Sequence, residues 1–175
     1  MTRRRPGGAA IEIRRLDPAA DAPAVRDFLE RASDYILLET GERPDEATLR
    51  AFFDGAPPGG DLAASAKLGL FEEETLVAIA DLGFGFPEPR DAYIGLLLVD
   101  PPRRGDGLGA ALLAHLQHLA RDRGAPRLYA AVLDANPRGL AFWERHGFRR
   151  VLSTPPIARG RRMHVIHRLV WLTPG

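Results

Sequence analysis

The chain contains no cysteine among its 175 residues. That removes a disulfide framework, a thiolate nucleophile and a Cys-ligated zinc site, so a transferred group must pass directly or through another residue type. An excess of either charge is also missing: 24 basic and 23 acidic side chains leave a formal net charge of +1. No broad cationic surface is offered to nucleic acid or anionic lipid, and small-molecule partners fit better. Long apolar runs are absent too, none approaching the ~18 residues of a membrane span. The basic start Met1-Thr2-Arg3-Arg4-Arg5 runs into Pro6-Gly7-Gly8 without the apolar segment of a signal peptide. A cytoplasmic protein is expected, with residues 1–10 as a flexible arm and a single domain over 11–172. At 45% hydrophobic residues that domain can bury a proper core.

What is present is a succession of strand-like and helix-like segments. Ile11-Glu12-Ile13-Arg14-Arg15-Leu16 alternates apolar and polar residues as a half-buried strand does, and Asp17-Pro18 closes it. Over 21–39, Val25, Phe28, Leu29 and Ala32 recur at helical spacing and Tyr35, Ile36 and Leu37 follow, predicting one helix that ends at Gly41. A shorter helix is predicted over 45–53, before a Gly- and Pro-rich loop at 54–60. Strands at 67–72 and 75–84 read as a hairpin, and 93–99 as a nearly continuous apolar, central strand. Leu108, Ala111, Leu112, Leu116 and Leu119 stripe a helix over 107–123, with Gly124 at its C-terminal end. A strand at 127–133, a helix at 136–146, a strand at 148–152 and a last strand at 163–172 complete a mixed α/β layer without repeats.

The chemistry is concentrated in Asp100-Pro101-Pro102-Arg103-Arg104-Gly105-Asp106-Gly107-Leu108-Gly109-Ala110, between the central strand and the longest helix. Glycines at 105, 107 and 109 let backbone N–H groups approach an anion, and the helix aims its unpaired N–H groups and positive dipole end at the same spot. Arg103 and Arg104 add donors suited to phosphate, and a diphosphate matches a loop that offers several N–H groups in sequence. A P-loop would end in Gly-Lys-Ser/Thr, which is missing. Gly105-x-Gly107-x-x-Ala110 satisfies a dinucleotide-binding pattern, but Asp100 to Arg104 separate it from the strand and it does not open the fold. A glycine-rich turn without a ligand is the remaining reading.

Arg104-x-x-Gly107-x-Gly109, after a strand ending Val99-Asp100-Pro101, resembles the acetyl-CoA signature of the GNAT N-acetyltransferase family. The resemblance continues through Asn136, Ala141-Phe142-Trp143-Glu144 and Gly147-Phe148. It implies an α/β (α+β) fold: a twisted, mostly antiparallel seven-stranded sheet flanked by about four helices, splayed at a parallel pair made by the strand ending at Val99 and strand 127–133. It also implies acetyl-CoA as acyl donor. The activity implied is transfer of an acetyl group to a primary amine of a small molecule, peptide or protein terminus, by direct attack in a ternary complex. A CoA-binding sensor or interaction protein of the same fold, with little or no transferase activity, is the alternative. A homodimer is compatible with the sequence, which assigns no apolar patch to it.

The resemblance assigns the pantetheine arm to Leu97, Leu98 and Val99, and the pyrophosphate to the amides of Gly105, Asp106, Gly107, Leu108, Gly109 and Ala110, beside Arg104. Asn136 matches a position that contacts the cofactor arm, although an Asn before Pro137 also suits a helix cap. Trp143 stands where many members carry the Tyr that protonates the departing thiolate, and indole has no useful acidity. With a thiol pKa near ~8.5 and a general acid worth about 10²–10⁴-fold, that change slows transfer without abolishing it. Ala131 and Tyr93 stand where members place a Glu base, leaving Asp81, Tyr93 and Glu88 as base candidates. Tyr35 and Glu39 fall on the acceptor side, with Phe52, Phe53 and the loop 55–60. Asp106 is expected to cap the helix that follows it. His115 and His118 lack a third ligand, and His164 and His167 are expected on opposite faces of one strand, so no metal is expected. Arg159, Arg161 and Arg162 cluster at a turn, where they either attract an acidic group or stay solvated.

Overall fold

A computed structural model describes residues 2–4 and 10–174. Among the described residues ten strands and five α-helices follow in the order β1 (Thr2–Arg4), β2 (Ala10–Arg15), α1 (Ala22–Arg31), α2 (Ser33–Thr40), α3 (Glu46–Asp54), β3 (Ala66–Glu72), β4 (Thr75–Phe84), β5 (Ala92–Val99), α4 (Leu108–Asp122), β6 (Arg127–Leu133), α5 (Pro137–Arg145), β7 (Arg149–Ser153), β8 (Ile157–Arg159), β9 (Arg162–His164) and β10 (Ile166–Leu172). The main sheet runs β1-β2-β3-β4-β5-β6-β10-β7, and β8 and β9 form a separate hairpin. The seven expected strands are β2 to β7 and β10. Every described pairing is antiparallel except β5 with β6. From the basic start, expected as an arm, Thr2–Arg4 pairs with β2 as an eighth, edge strand; Met1 and 5–9 lie outside the described residues.

Two apolar layers sandwich this sheet. On one face Leu108, Leu112, Leu113 and Leu116 of α4 pack on Leu70, Leu82, Ile94, Leu128 and Ala130, closed by Trp143 and Phe148. On the other, Val25, Phe28, Ile36, Leu49 and Phe52 of α1 to α3 pack on Ile79 and Leu98. α3 starts in a capping box, in which the Asp45 carboxylate accepts from the Thr48 N–H while Thr48 Oγ1 accepts from the Asp45 N–H.

Two elements differ from expectation. The single helix over 21–39 is broken at Ala32 (φ −93°, ψ 21°), where the Tyr35 N–H turns back to the Ala32 carbonyl. The apolar stripe stops there as well: Val25, Phe28 and Leu29 are buried in α1, whereas Tyr35, Leu37 and Leu38 of α2 are only half-buried. The single strand over 163–172 is β9 and β10, interrupted at Val165, whose carbonyl accepts from Asp134 N–H at 2.9 Å. The β8–β9 hairpin folds onto the end of α2 instead. Arg161 N–H donates to Thr40 O at 2.7 Å, His164 Nε2 donates to Glu39 O at 2.8 Å, and Gly160 (φ +55°) lies so close that a Cβ would stand 2.7 Å from Thr40 O.

The splay has a closed and an open end. β5 and β6 pair only through Ala92↔Leu128, Tyr93↔Tyr129 and Ile94↔Ala130. At that end the fully buried Asp91 carboxylate accepts from Arg127 Nε at 2.8 Å. One residue further the β4–β5 register slips: Asp81 faces Leu96 and Leu82 faces Ile94, leaving Gly95 as the extra residue of a bulge. The bulge bends β5 away from β6 and shifts its alternation, so Ile94 packs on the α4 side and Leu96 and Leu98 on the α1 side. At the open end Asp100 accepts from Arg31 Nε at 3.0 Å, which ties β5 to α1.

Candidate active site

Where β5 and β6 part, a cleft of about 460 Å³ opens, walled by 94–99 of β5, Ala131 and Val132 of β6, the 103–110 loop and α5. Asp100 N–H donates to Val77 O at 2.9 Å. Along an antiparallel pair, N–H and C=O groups alternate between partner and free edge. With Ile79↔Leu98 and Ala78↔Val99 in register, the backbone groups of Leu98 belong to the β4 ladder and those of Leu97 and Val99 face the cleft. Of the three expected pantetheine positions, two therefore present hydrogen-bonding groups, with the Val99 carbonyl already accepting from Arg104 Nε, and Leu98 contributes a buried side chain, 6% exposed.

The edge of β5 leads directly into the glycine loop. Gly105 (φ +99°) and Gly107 (φ +81°) adopt left-handed backbone that other residues resist, and Gly107 is the N-cap of α4. The first hydrogen bond of the helix is Ala111 N–H to Gly107 O, which leaves the amides of Leu108, Gly109 and Ala110 ahead of the ladder. At Gly109 an added Cβ would stand 3.4 Å from Phe142 and 3.6 Å from Val99, in ordinary contact with the cleft wall. Three amides and a helix dipole thus converge on one anion-sized space.

The loop side chains are committed differently from expectation. Asp106 does not cap α4; its Oδ2 accepts from Arg103 Nε at 2.9 Å. Arg103 also makes a bidentate pair with Glu72. Arg104 spans the cleft mouth, donating from Nε to Val99 O at 3.0 Å and through both Nη atoms to Asp34 on α2, with Nη2–Oδ1 at 2.9 Å. That hydrogen bond holds the Asp34 carboxyl below its usual range. Asn136 caps α5 through Oδ1, which accepts from Gly139 N–H at 2.9 Å, and its Nδ2 is left to donate. It caps the helix and lines the cleft at once.

Trp143 lines the cleft but is 6% exposed, edge-on to Phe142 and Phe148 with centroids 5.2 and 5.0 Å away. It is a wall, not an acid. Beside it stands His146, which no sequence signal singled out. Its Nδ1–H donates to Phe142 O at 2.7 Å and its ring lies 4.4 Å from that of Phe142, one helical turn back. Phe142 and His146 line the cleft beside the Gly107 and Gly109 end of the loop.

On the α1–α3 face, Asp81 forms an ion pair with Lys67 at 2.7 Å, and Lys67 also donates to Gly55 O. Burial pushes the Asp81 carboxyl up, against the pull of Lys67. The carboxylate lies directly over Gly95, where a Cβ would be 2.6 Å from Oδ2, and does not line the cleft. Tyr93 stacks edge-on with Phe86 at 5.2 Å, and burial raises its phenol pKa while Arg168 and Arg159 oppose the shift. Glu39, half-buried on α2, is likewise raised by burial. Tyr35 lines the cleft one turn before it.

His164 and His167, expected on two faces of one strand, sit on β9 and β10. His167 donates from Nε2 to Asp134 at 2.8 Å and its Nδ1 accepts from Ser153 Oγ at 2.8 Å. These are the residue types of a hydrolytic triad with the ring reversed. They tie β7 and β10 to the turn that carries Asn136 and satisfy a buried imidazole. Among the described residues no group of three His, Asp or Glu converges as a metal site, and no helix is long and apolar enough to cross a membrane.

Comparison with known proteins meets this geometry. Residues 23–148 match the Acetyltransferase (GNAT) family. Mycothiol acetyltransferase of Thermobispora bispora is 33% identical over 138 residues, 78% of this chain and 36% of that protein. An acetyltransferase from Thermus thermophilus superposes with a TM-score of 0.75 at 27% identity, covering 93% of this chain and 96% of that one. The fold is shared with a Salmonella typhimurium protein solved with its cofactor acetyl-CoA, at TM-score 0.70, 19% identity and 94% coverage of each chain. The chain spans about a third to a half of the length of the curated relatives it matches first, 37%, 49% and 36%. With a matched family region that spans α1 to α5 and the whole cleft, the chain belongs to the GNAT acetyltransferase family.

Proposed function

We propose that this protein is an acetyl-CoA-dependent N-acetyltransferase that passes an acetyl group directly to a primary amine in a ternary complex. The observation that carries this reading is the continuity of the open β5 edge at Leu97 and Val99 with the amides of Leu108, Gly109 and Ala110. The edge suits an extended amide-bearing arm and the helix start suits its diphosphate. In the step itself the amine nitrogen bonds to the thioester carbon, the C–S bond breaks, CoA leaves as thiolate and the amine sheds one proton. A cleft-facing N–H of β5 is placed to polarise the carbonyl oxygen, the type of preorganised dipole that dominates acyl transfer. Trp143 offers the thiolate no proton, and a leaving thiol of pKa about 8.5 tolerates that. On the acceptor side the Tyr93 phenol stays protonated and serves to orient or relay a proton. Both carboxylates there are made more basic by burial, but Asp81 is committed to Lys67 and lies away from the cleft, which favours Glu39. The same reading includes a cytoplasmic location and small-molecule partners.

Thiol release from acetyl-CoA with a panel of amines tests this. Release that depends on the amine, with intersecting double-reciprocal lines, is expected; parallel lines would contradict direct transfer. Trp143 and Ala131 at the usual acid and base positions favour a second reading, a CoA-binding protein without turnover. Cofactor binding with no amine-dependent thiol release would select it.

A further inference from the structure

Four arginines are half-buried among the described residues: Arg14, Arg103, Arg127 and Arg168. Three have carboxylate partners, Arg14 with Asp21 at 2.8 Å, Arg127 with Asp91 at 2.8 Å, and Arg103 with Glu72 and Asp106. Arg168 has none within 4.0 Å among the described residues. A partly desolvated cation without a counter-ion is costly unless something else pairs with it.

Its position says where the counter-ion comes from. Arg168 lies opposite Ala131 in the β10–β6 ladder, so both side chains leave the same face of the sheet. Ala131 lines the cleft just past the point where β5 and β6 separate. That face carries Tyr93 and, above it, α2 with Tyr35 and Glu39. The Phe86 ring covers one side of the guanidinium at 5.0 Å, and the Tyr93 phenol lies against it. A guanidinium carries five N–H donors, so contacts with one ring face and one phenol leave donors over, and an oxyanion is the partner that takes two of them in parallel. A second cation, Arg159 on the β8–β9 hairpin, acts on the same Tyr93, Tyr35 and Glu39.

We infer that the acceptor amine also carries an oxyanion, a carboxylate or a phosphate, and that Arg168 binds it at the end of the cleft where β5 and β6 separate. This rests on the transferase reading and narrows its substrate class. Glu39, one turn beyond the cleft-lining Tyr35 on α2, then meets the amine end, so the two charges of one small molecule are read by opposite charges on α2 and β10.

The test is calorimetric titration of the protein saturated with CoA. One panel pairs common L-amino acids with their C-terminal amides, and the other pairs amino-sugar phosphates with the unphosphorylated amino sugars. The expected result is that an oxyanion-bearing member binds at least about tenfold more tightly than its neutral partner, in the one panel that matches the natural oxyanion. Arg168→Gln should reduce that preference to within about twofold, and Arg168→Lys should restore part of it through its charge without the fork. Should the glutamine variant fail to fold, the lysine variant carries the comparison, with a diminished preference expected. No preference in either panel, or a preference unchanged in the variants, overturns the inference. Acetyl transfer to oxyanion-bearing amines no more efficient than to their neutral partners, and unchanged in Arg168→Gln, would overturn it while leaving the transferase reading intact. Discrimination in binding without any thiol release would do the reverse.

Discussion

Gly109 is where a single side chain tests the cofactor site most cleanly. Gly107 has φ +81°, so any substitution there strains the backbone whatever the ligand does. Gly109 lies in the first turn of α4 with space for a Cβ. Gly109→Glu should keep stability within about 1 kcal/mol of wild type, because a helical glycine is replaced and a carboxylate suits a helix N-terminus. The same carboxylate occupies the anion position, so acetyl-CoA affinity should fall by at least about a hundredfold, equivalent to about 2.8 kcal/mol in a binding titration. Lys67 and Asp81 pose a different question, since both are largely buried, 8% and 15% exposed at the side chain. Asp81→Asn should cost about 3–5 kcal/mol in urea unfolding by leaving the ammonium unpaired. Lys67→Met combined with Asp81→Leu should recover most of that. If the doubly substituted protein is stable yet inactive, Asp81 takes part in proton removal; if it turns over, the pair is structural.

Among the elements, β5 determines the site, and its decisive feature is the bulge at Gly95. Any side chain there meets the Asp81 carboxylate at 2.6 Å, so Gly95→Ala should destabilise by about 1–3 kcal/mol in denaturant unfolding and weaken acetyl-CoA binding with it. The glycine loop, α4 and β6 were legible from sequence because their signals are local: glycines, a helix start and an apolar period all lie within a few residues. The bulge was not, since a register slip belongs to two strands and Tyr93 to Val99 reads as an unbroken apolar run. The break at Ala32 was hidden for a related reason: Tyr35, Ile36 and Leu37 continue an apolar composition but not a buried stripe. The same limit applied to the charged groups. Arg104 finds Asp34 seventy residues away and Arg103 finds Glu72 thirty-one away, so their pairing depends on how α2 and β3 reach the cleft mouth. His146 and Arg168 look like ordinary surface residues until the end of α5 places one on the cleft wall and the sheet places the other beside Ala131.

At the scale of the molecule, pH should act through carboxylates whose partners are arginines. Asp21, 7% exposed, is held below its ordinary 3.8 mainly by the hydrogen bond from Arg14, and Asp34 is lowered by Arg104. The folded chain binds fewer protons at these sites than the unfolded one. Their contribution is therefore complete above the unfolded value near 3.8 and is lost as pH falls through the lower folded values. Chemical unfolding between pH 5 and pH 2 should show falling stability, with a shallower fall in Arg14→Gln. Asp81 and Glu39, raised by burial, act in the opposite sense and lose their contribution as pH rises through their folded values.

The central claim, that the splayed β5 edge and the start of α4 hold acetyl-CoA, is tested most directly by thermal unfolding with saturating acetyl-CoA, alongside NAD and ATP, in wild type and Gly109→Glu. A ligand at a hundred times its dissociation constant stabilises the folded state by about 2.7 kcal/mol, which for a chain of this size raises the midpoint by about 5–10 °C. The account predicts that rise with acetyl-CoA in the wild type alone. No rise, an equal rise in Gly109→Glu, or a larger one with NAD or ATP would contradict it.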